Sequence, residues 1–488
     1  MIDEQDASNI PSTLNTLTEL SSIDDQSLVT RESMRFNKHS ALITLIIMSI
    51  GPLSLLFQTV GETIDMALIS YRFKNDTDAH AVEILGFTAQ IHVIIVCIGL
   101  FFGQTMIARI SYLIGSNNRA GAAHLISEIL YLDIVFSMIF ASIFVFLVKP
   151  ILRFLGSSDE LISKCFLYVV TGLVALPFTT LSSLGQYFLQ SIGNSILSGM
   201  VKFVTYALQL SIFSPFFLFL AKVPVIFMKL GSLISNSIVG LGIFILIYRG
   251  KFSLKPNIRD VFDHFTPELK NALASSVPLL LHAITAVIPA MLILKSMTGV
   301  DPDRANAIAG VFAVYTQILG ICVSFPSAFS QGFLSAATHA WGANNYKRVV
   351  RLFSWAVLIC IILPIAASIT IIVGTQPILK IFLHTQREID LGMKMLPIPF
   401  YTCPLQGFCL CVSMMMIVVG KPIMSFIPQC VQFAILCVGC NVIALYCNND
   451  PTKIMHIYNI ADITNFVLLL LFLIYPIRLI KKKMDEKT

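Results

Sequence analysis

The sequence predicts an all-α polytopic membrane protein with twelve transmembrane helices in two parallel six-helix lobes. Composition, evenly spaced apolar runs and an internal repeat indicate this fold class. Of the 488 residues, 56% are hydrophobic and only 12% are charged, whereas about 25% of the residues of a soluble domain are charged. The longest polar stretches, residues 1–40 and 249–271, are too short to form a core of their own. We therefore expect no soluble enzyme domain.

Twelve apolar runs begin at residue 41, and at about 20 residues per crossing each can span a bilayer once. The predicted spans 1 to 6 cover residues 41–70, 84–113, 125–148, 161–190, 200–221 and 229–248. The predicted spans 7 to 12 cover residues 272–296, 306–337, 349–373, 391–418, 422–447 and 456–479. Several are longer than one crossing needs, so we expect kinks at Pro52 in span 1 and Pro278 in span 7.

Charge and polarity divide the chain around these spans. Residues 1–40 are rich in Ser, Thr, Asp and Glu without periodicity, which predicts a disordered cytoplasmic tail. The amino-terminal lobe then covers residues 41–248, a cytoplasmic connector 249–271, the carboxyl-terminal lobe 272–480 and a basic cytoplasmic tail 481–488. Because Lys and Arg are enriched on the side of the connector and the tail, both termini should be cytoplasmic. We expect the plasma membrane or an intracellular vesicle membrane as the location.

Neither the net charge of +6 nor the eleven cysteines indicates another class of protein. The basic residues flank apolar spans and form no basic surface for nucleic acid. Most cysteines lie within apolar runs, where a thiol acts as a small hydrophobic group. We therefore expect no nucleic acid, no metal and no cofactor.

An internal repeat relates the two halves of the chain. Gln104 matches Gln331 at a separation of 331 − 104 = 227 residues. The same separation relates the pairs Gly115/Gly342, Pro150/Pro377, Pro177/Pro404 and Gly193/Gly420. Because each half holds an even number of spans, both halves enter the membrane from the same side. Two like-oriented lobes around one cleft are typical of secondary transport by alternating access.

Short motifs recur in order along both halves. In span 1, Pro52 is followed by Ile64-Asp65-Met66-Ala67, and span 2 ends in a loop with Gly115-Ser-Asn-Asn118. After span 8 comes Gly342-Ala-Asn-Asn-Tyr-Lys-Arg348. From residue 41 to about residue 480, the set resembles the multidrug and toxic compound extrusion (MATE) family of cation-coupled antiporters.

This resemblance implies a secondary antiporter for multidrug or xenobiotic efflux. Its substrates would be organic compounds, cationic and amphipathic, exported in exchange for H⁺ or Na⁺ across the lipid bilayer. We expect a monomer. We expect no enzymatic activity, because no nucleophile and base are paired at helical spacing.

The resemblance also implies a cation-coupling site on span 1. Asp65 stands where many family members carry the coupling acid, and Glu62 shares its helical face. An acid in an apolar run is costly unless it faces a wet cavity or a partner. Since Asp65 lies roughly 36 Å along the helix from Ala41, an acid at the outer membrane interface is the alternative interpretation.

Acids of the family pattern are missing elsewhere. Ser214 stands at the place of the family's span 5 acid, His282 and Met291 occupy span 7, and Gln406 occupies span 10. The resemblance therefore implies that the carboxyl-terminal coupling site is absent. We interpret Asp462, near the start of span 12, as an acid at the membrane boundary.

The remaining polar or adaptable side chains within spans are candidates for the substrate cleft. They are Gln58, Gln104, Gln331, His282, Met291, Gln406 and Met414. For the repeat-related Gln104 and Gln331, hydrogen bonds between neighbouring helices are the favoured interpretation, because polar side chains often hold membrane helices together.

Two other functions stay open from the sequence. A flippase for lipid-linked or polysaccharide precursors, in the same wider superfamily, needs a basic cleft for a diphosphate. The basic residues within spans, such as Arg109 and Lys202, are predicted to lie near span ends, which argues against a flippase. A receptor or scaffold that works through residues 1–40 would not need duplicated lobes.

Overall fold

The computed structural model is mostly helical in the residues that it describes, and these include no strand. They are residues 36, 38–73, 81–154, 159–252, 254–257, 266–301, 304–383, 386–446 and 450–486. Most of the predicted amino-terminal tail therefore lies outside the described residues, as does part of the predicted connector.

The helices follow the predicted order. Spans 1 to 6 are Ala41–Ile50 with Ser54–Arg72, Ala81–Gly115, Arg119–Phe154, Asp159–Ser191, Ser195–Leu208 with the π-helical turns Gln209–Phe213 and Phe216–Leu220, and Lys229–Tyr248. Spans 7 to 12 are Pro267–Val300, Ala305–Gly342, Tyr346–Val373, Gln386–Met395 with Pro397–Phe400 and Cys403–Val418, Ile423–Tyr446, and His456–Phe472 with Ile474–Asp485. The short helix Thr375–Phe382 joins spans 9 and 10.

Within the described residues, 11 helices are long and apolar enough to cross a membrane. The other predicted crossing is span 7, a helix of 34 residues that begins at Pro267 inside the predicted connector. Its section Ile288–Val300 is apolar but shorter. The predicted fold class, an all-α polytopic membrane protein, is confirmed.

The repeat is visible in the backbone. Asn117 and Asn344, which are related by the repeat, both have positive φ angles of 62° and 56°. Spans 2 and 8 meet in a reciprocal contact, because a Cβ atom on Gly115 would collide with the carbonyl oxygen of His339 and one on Gly342 with that of Tyr112. Equivalent backbone atoms therefore face each other across an axis between the two lobes.

Span 1 is interrupted at residues 51–53. Pro52 has no N–H, so the Met48 carbonyl loses its helical donor. The carbonyl accepts instead from Gln190 Nε2 at 2.6 Å and from Ser195 Oγ at 2.9 Å. Because a buried carbonyl needs such partners, spans 4 and 5 stabilise the break in span 1.

One end of the bundle, which we call the terminal face, holds Phe36, residues 38–44 and residues 478–486. Here Arg348 of span 9 donates to the carbonyl oxygens of Phe36 and His39 and to Thr44 Oγ1. Arg109 of span 2 forms an ion pair with Glu268 of span 7. Since these contacts join the two halves of the chain, the terminal face is closed.

Candidate functional site

A cavity of about 540 Å³ lies between the two lobes. Its walls include residues of spans 1, 2, 4, 5 and 6 on one side and of spans 7, 8, 10, 11 and 12 on the other. Most of these residues lie in the part of their span farther from the terminal face, although those from Thr179 to Tyr187 on span 4 and Lys202 and Tyr206 on span 5 lie in the nearer half. The contacts of Arg348 and the Arg109–Glu268 ion pair lie between the cavity and the terminal face.

Asp65 lines this cavity and is held by span 5. Its Oδ1 accepts from Ser214 Oγ at 2.5 Å and its Oδ2 accepts from Gln209 Nε2 at 3.2 Å. In an α-helix two residues five apart point about 140° away from each other. The π-helical turn Gln209–Phe213, with its backbone bond from Ser214 N–H to the Gln209 carbonyl, brings both side chains to one face.

Glu62 lies one helical turn before Asp65 in a second polar cluster. Its Oε1 accepts from Gln58 Nε2 at 3.1 Å and from the Tyr206 hydroxyl at 3.2 Å. His92 Nε2 of span 2 lies 3.8 Å from the same oxygen. Both predicted coupling acids therefore lie in the cavity wall, and three spans meet around Glu62.

Two lysines line the same wall. Lys202 is only 4% exposed, and its Nζ donates to Ser183 Oγ at 2.8 Å. Lys229 Nζ lies 5.5 Å from the ring centroid of Tyr168. The sequence-based argument that basic residues lie only near span ends is wrong for Lys202, because seven residues of span 5 precede it and its side chain reaches the cavity.

Asp462 lines the opposite wall of the cavity. Only 3% exposed, it accepts from Thr402 Oγ1 at 3.0 Å, Gln406 Nε2 at 2.9 Å and Gln432 Nε2 at 3.2 Å. Asn465 Nδ2 donates in turn to Gln432 Oε1 at 3.0 Å. The interpretation of Asp462 as a boundary acid is wrong, since neutral donors from spans 10 and 11 enclose its carboxylate.

Span 1 also contacts the carboxyl-terminal lobe directly. The Thr59 and Ser324 hydroxyl oxygens are 3.4 Å apart, and Gln317 Nε2 of span 8 donates to Thr63 Oγ1. Thr59 and Thr63 belong to the same helix as Glu62 and Asp65. A movement of that helix would therefore displace its contacts with span 8 in the other lobe.

The predicted cleft residues fall into two groups. Gln58 and Gln406 line the cavity, each hydrogen-bonded to an acid. Met291 and Met414 are buried and do not line it. The side chains of His282 and of Pro278, the predicted kink in span 7, lie outside the described residues.

Gln104 and Gln331 are buried away from the cavity, with 4% and 5% of their surface exposed. In both side chains Oε1 has no hydrogen-bond donor among the described residues. Their shared environment follows the repeat, and their position fits packing between helices better than contact with a substrate.

The sequence-based reasoning missed Asp462, Gln432 and the two lysines as cavity residues. The signal for Asp462 was available, because an ionisable side chain within an apolar span indicates a functional site by default. The same principle selected Asp65. No comparable pattern marks Gln432, which is one of many polar residues within spans.

The sequence profile of the MatE family matches residues 52–214 and 278–447, one copy in each lobe. The chain belongs to the MATE family. Members are membrane transporters rather than enzymes, so this MATE chain is an integral, multi-pass transporter. No curated protein matches its sequence.

Solved structures show the same fold at low sequence identity. A crystal structure of MATE in complex with MaL6 is 15% identical with a TM-score of 0.79, and the match covers 93% of this chain and 99% of that chain. A MOP superfamily transporter from Pyrococcus furiosus, described with a binding pocket of reverse polarity that suggests a different function, is 15% identical with a TM-score of 0.81 over 92% and 98%. An outward-facing multidrug resistance MATE transporter is 14% identical with a TM-score of 0.78 over 92% and 97%.

Proposed function

We propose that this MATE protein is a secondary antiporter that exports cationic, amphipathic organic compounds in exchange for H⁺ or Na⁺. The observation that carries the proposal is the position of Asp65, which faces the cavity between the lobes and is held by Ser214 and Gln209. Enough room for a small organic molecule is available, since such pockets usually enclose roughly 300–1,000 Å³.

The mechanism follows from the charge of Asp65. A carboxylate accepts hydrogen bonds only, whereas a protonated carboxyl also donates one. Cation binding therefore changes what Asp65 offers to Ser214 and Gln209. Span 1 can respond at its break at residues 51–53, and its contacts with span 8 transmit the movement to the other lobe.

In alternating access, the closed terminal face is the end of the protein that must open to the cytoplasm. With both termini in the cytoplasm, most of the cavity lining lies in the outer half of the membrane and the conformation is outward-facing. Export then requires the contacts of Arg348 with Phe36, His39 and Thr44 to open, together with the Arg109–Glu268 ion pair. We expect a monomer in the plasma membrane or a vesicle membrane.

A flippase for diphosphate-linked lipids is the second candidate, and Lys202 and Lys229 in the cavity favour it. Three carboxyl groups, those of Glu62, Asp65 and Asp462, line the same cavity. They would repel a diphosphate, which carries at least two negative charges, so the antiporter is the better account.

Transport by the purified protein in liposomes tests the proposal. Uptake of a cationic dye driven by an imposed H⁺ or Na⁺ gradient should be abolished by Asp65→Asn. The matched control is Asp390→Asn, since Asp390 is exposed at the start of span 10 and lies away from the cavity. Undiminished gradient-driven transport by Asp65→Asn would remove Asp65 from the coupling mechanism.

A further inference from the structure

Lys202 is a buried cation that has more hydrogen-bond donors than acceptors around it. An ammonium group has three N–H donors and no acceptor. In the described part of the chain its hydrogen-bond acceptor is Ser183 Oγ, at 2.8 Å. The Ser183 hydroxyl donates its own proton to the Thr179 carbonyl at 2.9 Å, which leaves its oxygen free to accept from Lys202.

Among the described residues, no counter-ion contacts the Lys202 ammonium group directly. Glu62 is near enough to interact with the Lys202 charge, but among the described residues no carboxylate forms a salt bridge with Lys202. The carboxylate of Glu62 is engaged by Gln58, Tyr206 and His92 instead. A buried charge that lacks a close partner is costly, and here the ammonium faces a cavity in which a ligand can supply the partner.

The opposite wall offers the complementary charge. Asp462 lies in the same cavity and receives hydrogen bonds from neutral donors alone, namely Thr402, Gln406 and Gln432. A molecule that bridges the two lobes therefore meets an ammonium group on the wall of span 5 and a carboxylate on the wall of span 12.

We propose that the cavity takes zwitterionic amphipathic substrates, whose anionic group binds Lys202 while their cationic group faces Asp462. The proposal rests on the proposed transport function and specifies its substrate class. A carboxylate, sulfonate or phosphate monoester group has the acceptor oxygens that the Lys202 ammonium lacks. A purely cationic substrate would leave Lys202 without a partner, and a purely anionic one would meet the three carboxyl groups.

A matched pair of dyes provides the test. A rhodamine with a free benzoate carboxyl is zwitterionic, and its methyl ester is a cation of nearly the same size and shape. Binding to the full-length protein in nanodiscs is measured by fluorescence anisotropy. In the wild-type protein both dyes should bind and compete for one site, and the free acid should bind more tightly than the ester.

Lys202→Gln keeps a donor for Ser183 and removes the charge. It should weaken binding of the free acid roughly tenfold to a hundredfold, the range for a lost hydrogen bond to a charged group. Binding of the ester should stay within about twofold, which also shows that the variant is folded. Lys202→Arg keeps the charge and should retain much of the preference for the acid. Lys421→Gln, at an exposed lysine before span 11, is the control and should leave both affinities unchanged.

Two results would overturn the inference. One is an equal effect of Lys202→Gln on both dyes, and the other is a wild-type protein that binds the ester but not the acid. Neither result touches the antiporter proposal, which fails only if gradient-driven transport of the ester is absent or survives in Asp65→Asn. If neither dye binds, the inference about zwitterionic substrates is overturned as well, and the transport measurement in liposomes decides the antiporter proposal separately.

Discussion

The two walls of the cavity hold their acids in different ways. On the amino-terminal wall the acid comes from the first span of the lobe, Asp65, and its donors come from span 5. On the carboxyl-terminal wall the acid comes from the last span, Asp462, and donors come from spans 10 and 11. Spans 5 and 11 are equivalent in the repeat, so both lobes take donors from equivalent helices. The helices that carry the acids, spans 1 and 12, are not equivalent.

The walls also differ in charge and in regularity. Lys202 and Lys229 accompany the acids of the amino-terminal wall, whereas the hydrogen-bond donors to Asp462 among the described residues are all neutral. The irregularities lie in different places, because the span that carries Asp65 is broken at residues 51–53, whereas Asp462 lies on the uninterrupted helix His456–Phe472 and the break on its wall is in the donor span 10. We infer that Asp65 on the amino-terminal wall responds to ion binding and that Asp462 on the carboxyl-terminal wall recognises the cationic group of the substrate.

The largest expected effect is on stability, and it tests the repeat-related contact between spans 2 and 8. Gly115→Ala and Gly342→Ala should each lower the free energy of unfolding by about 3 kcal/mol, because the added Cβ meets a backbone carbonyl that cannot move aside. The two losses should be equal within about 1 kcal/mol, since the contacts are related by the repeat. Thermal unfolding in detergent measures them, with Gly242→Ala as the control because its Cβ would meet nothing within 4 Å. A loss confined to one variant would contradict a symmetric scaffold.

The next effect concerns Asp462. Asp462→Asn removes the negative charge of the carboxyl-terminal wall, so affinity for a cationic dye should fall roughly tenfold to a hundredfold. Transport at saturating dye should still respond to an imposed ion gradient, because Asp65 is intact. Loss of that response with unchanged dye affinity would reverse the roles of the two walls.

The smallest effects come from single donors. Ser214→Ala and Gln432→Leu each remove one neutral hydrogen bond to an acid, a loss of about 1 kcal/mol or roughly fivefold. We expect Ser214→Ala to change the rate of gradient-driven transport and Gln432→Leu to change the dissociation constant of the dye. Measuring both parameters for both variants separates the walls, and identical profiles would argue that they act as one site.

The sequence predicts the scaffold better than the chemistry. Repeat-related residues such as Gly115 and Gly342 could be recognised because close helix contacts and turns limit the residue types that fit. Asp65 could be recognised because it interrupts an apolar run and matches a family motif. Fold and span order follow from such constraints, which act along the chain.

Contacts between distant spans are harder to predict. Gln209 and Ser214 reach Asp65 together because span 5 forms a π-helical turn, which a helical wheel of 3.6 residues per turn does not show. The interpretation of Asp462 as a boundary acid rests on its distance from the predicted start of span 12, although the helical segment already begins at Pro451. The prediction that Lys202 lies near a span end rests in the same way on its distance from the predicted start of span 5.

The most direct test counts the ions that are released when substrate binds. A pH indicator and a sodium-sensitive dye follow the release while a cationic substrate is titrated onto the protein in a weakly buffered solution. We predict that the wild-type protein and Asp462→Asn release one coupling ion for each substrate bound, and that Asp65→Asn releases none. Ion release that persists in Asp65→Asn, or disappears in Asp462→Asn, would contradict the division of roles between the two walls.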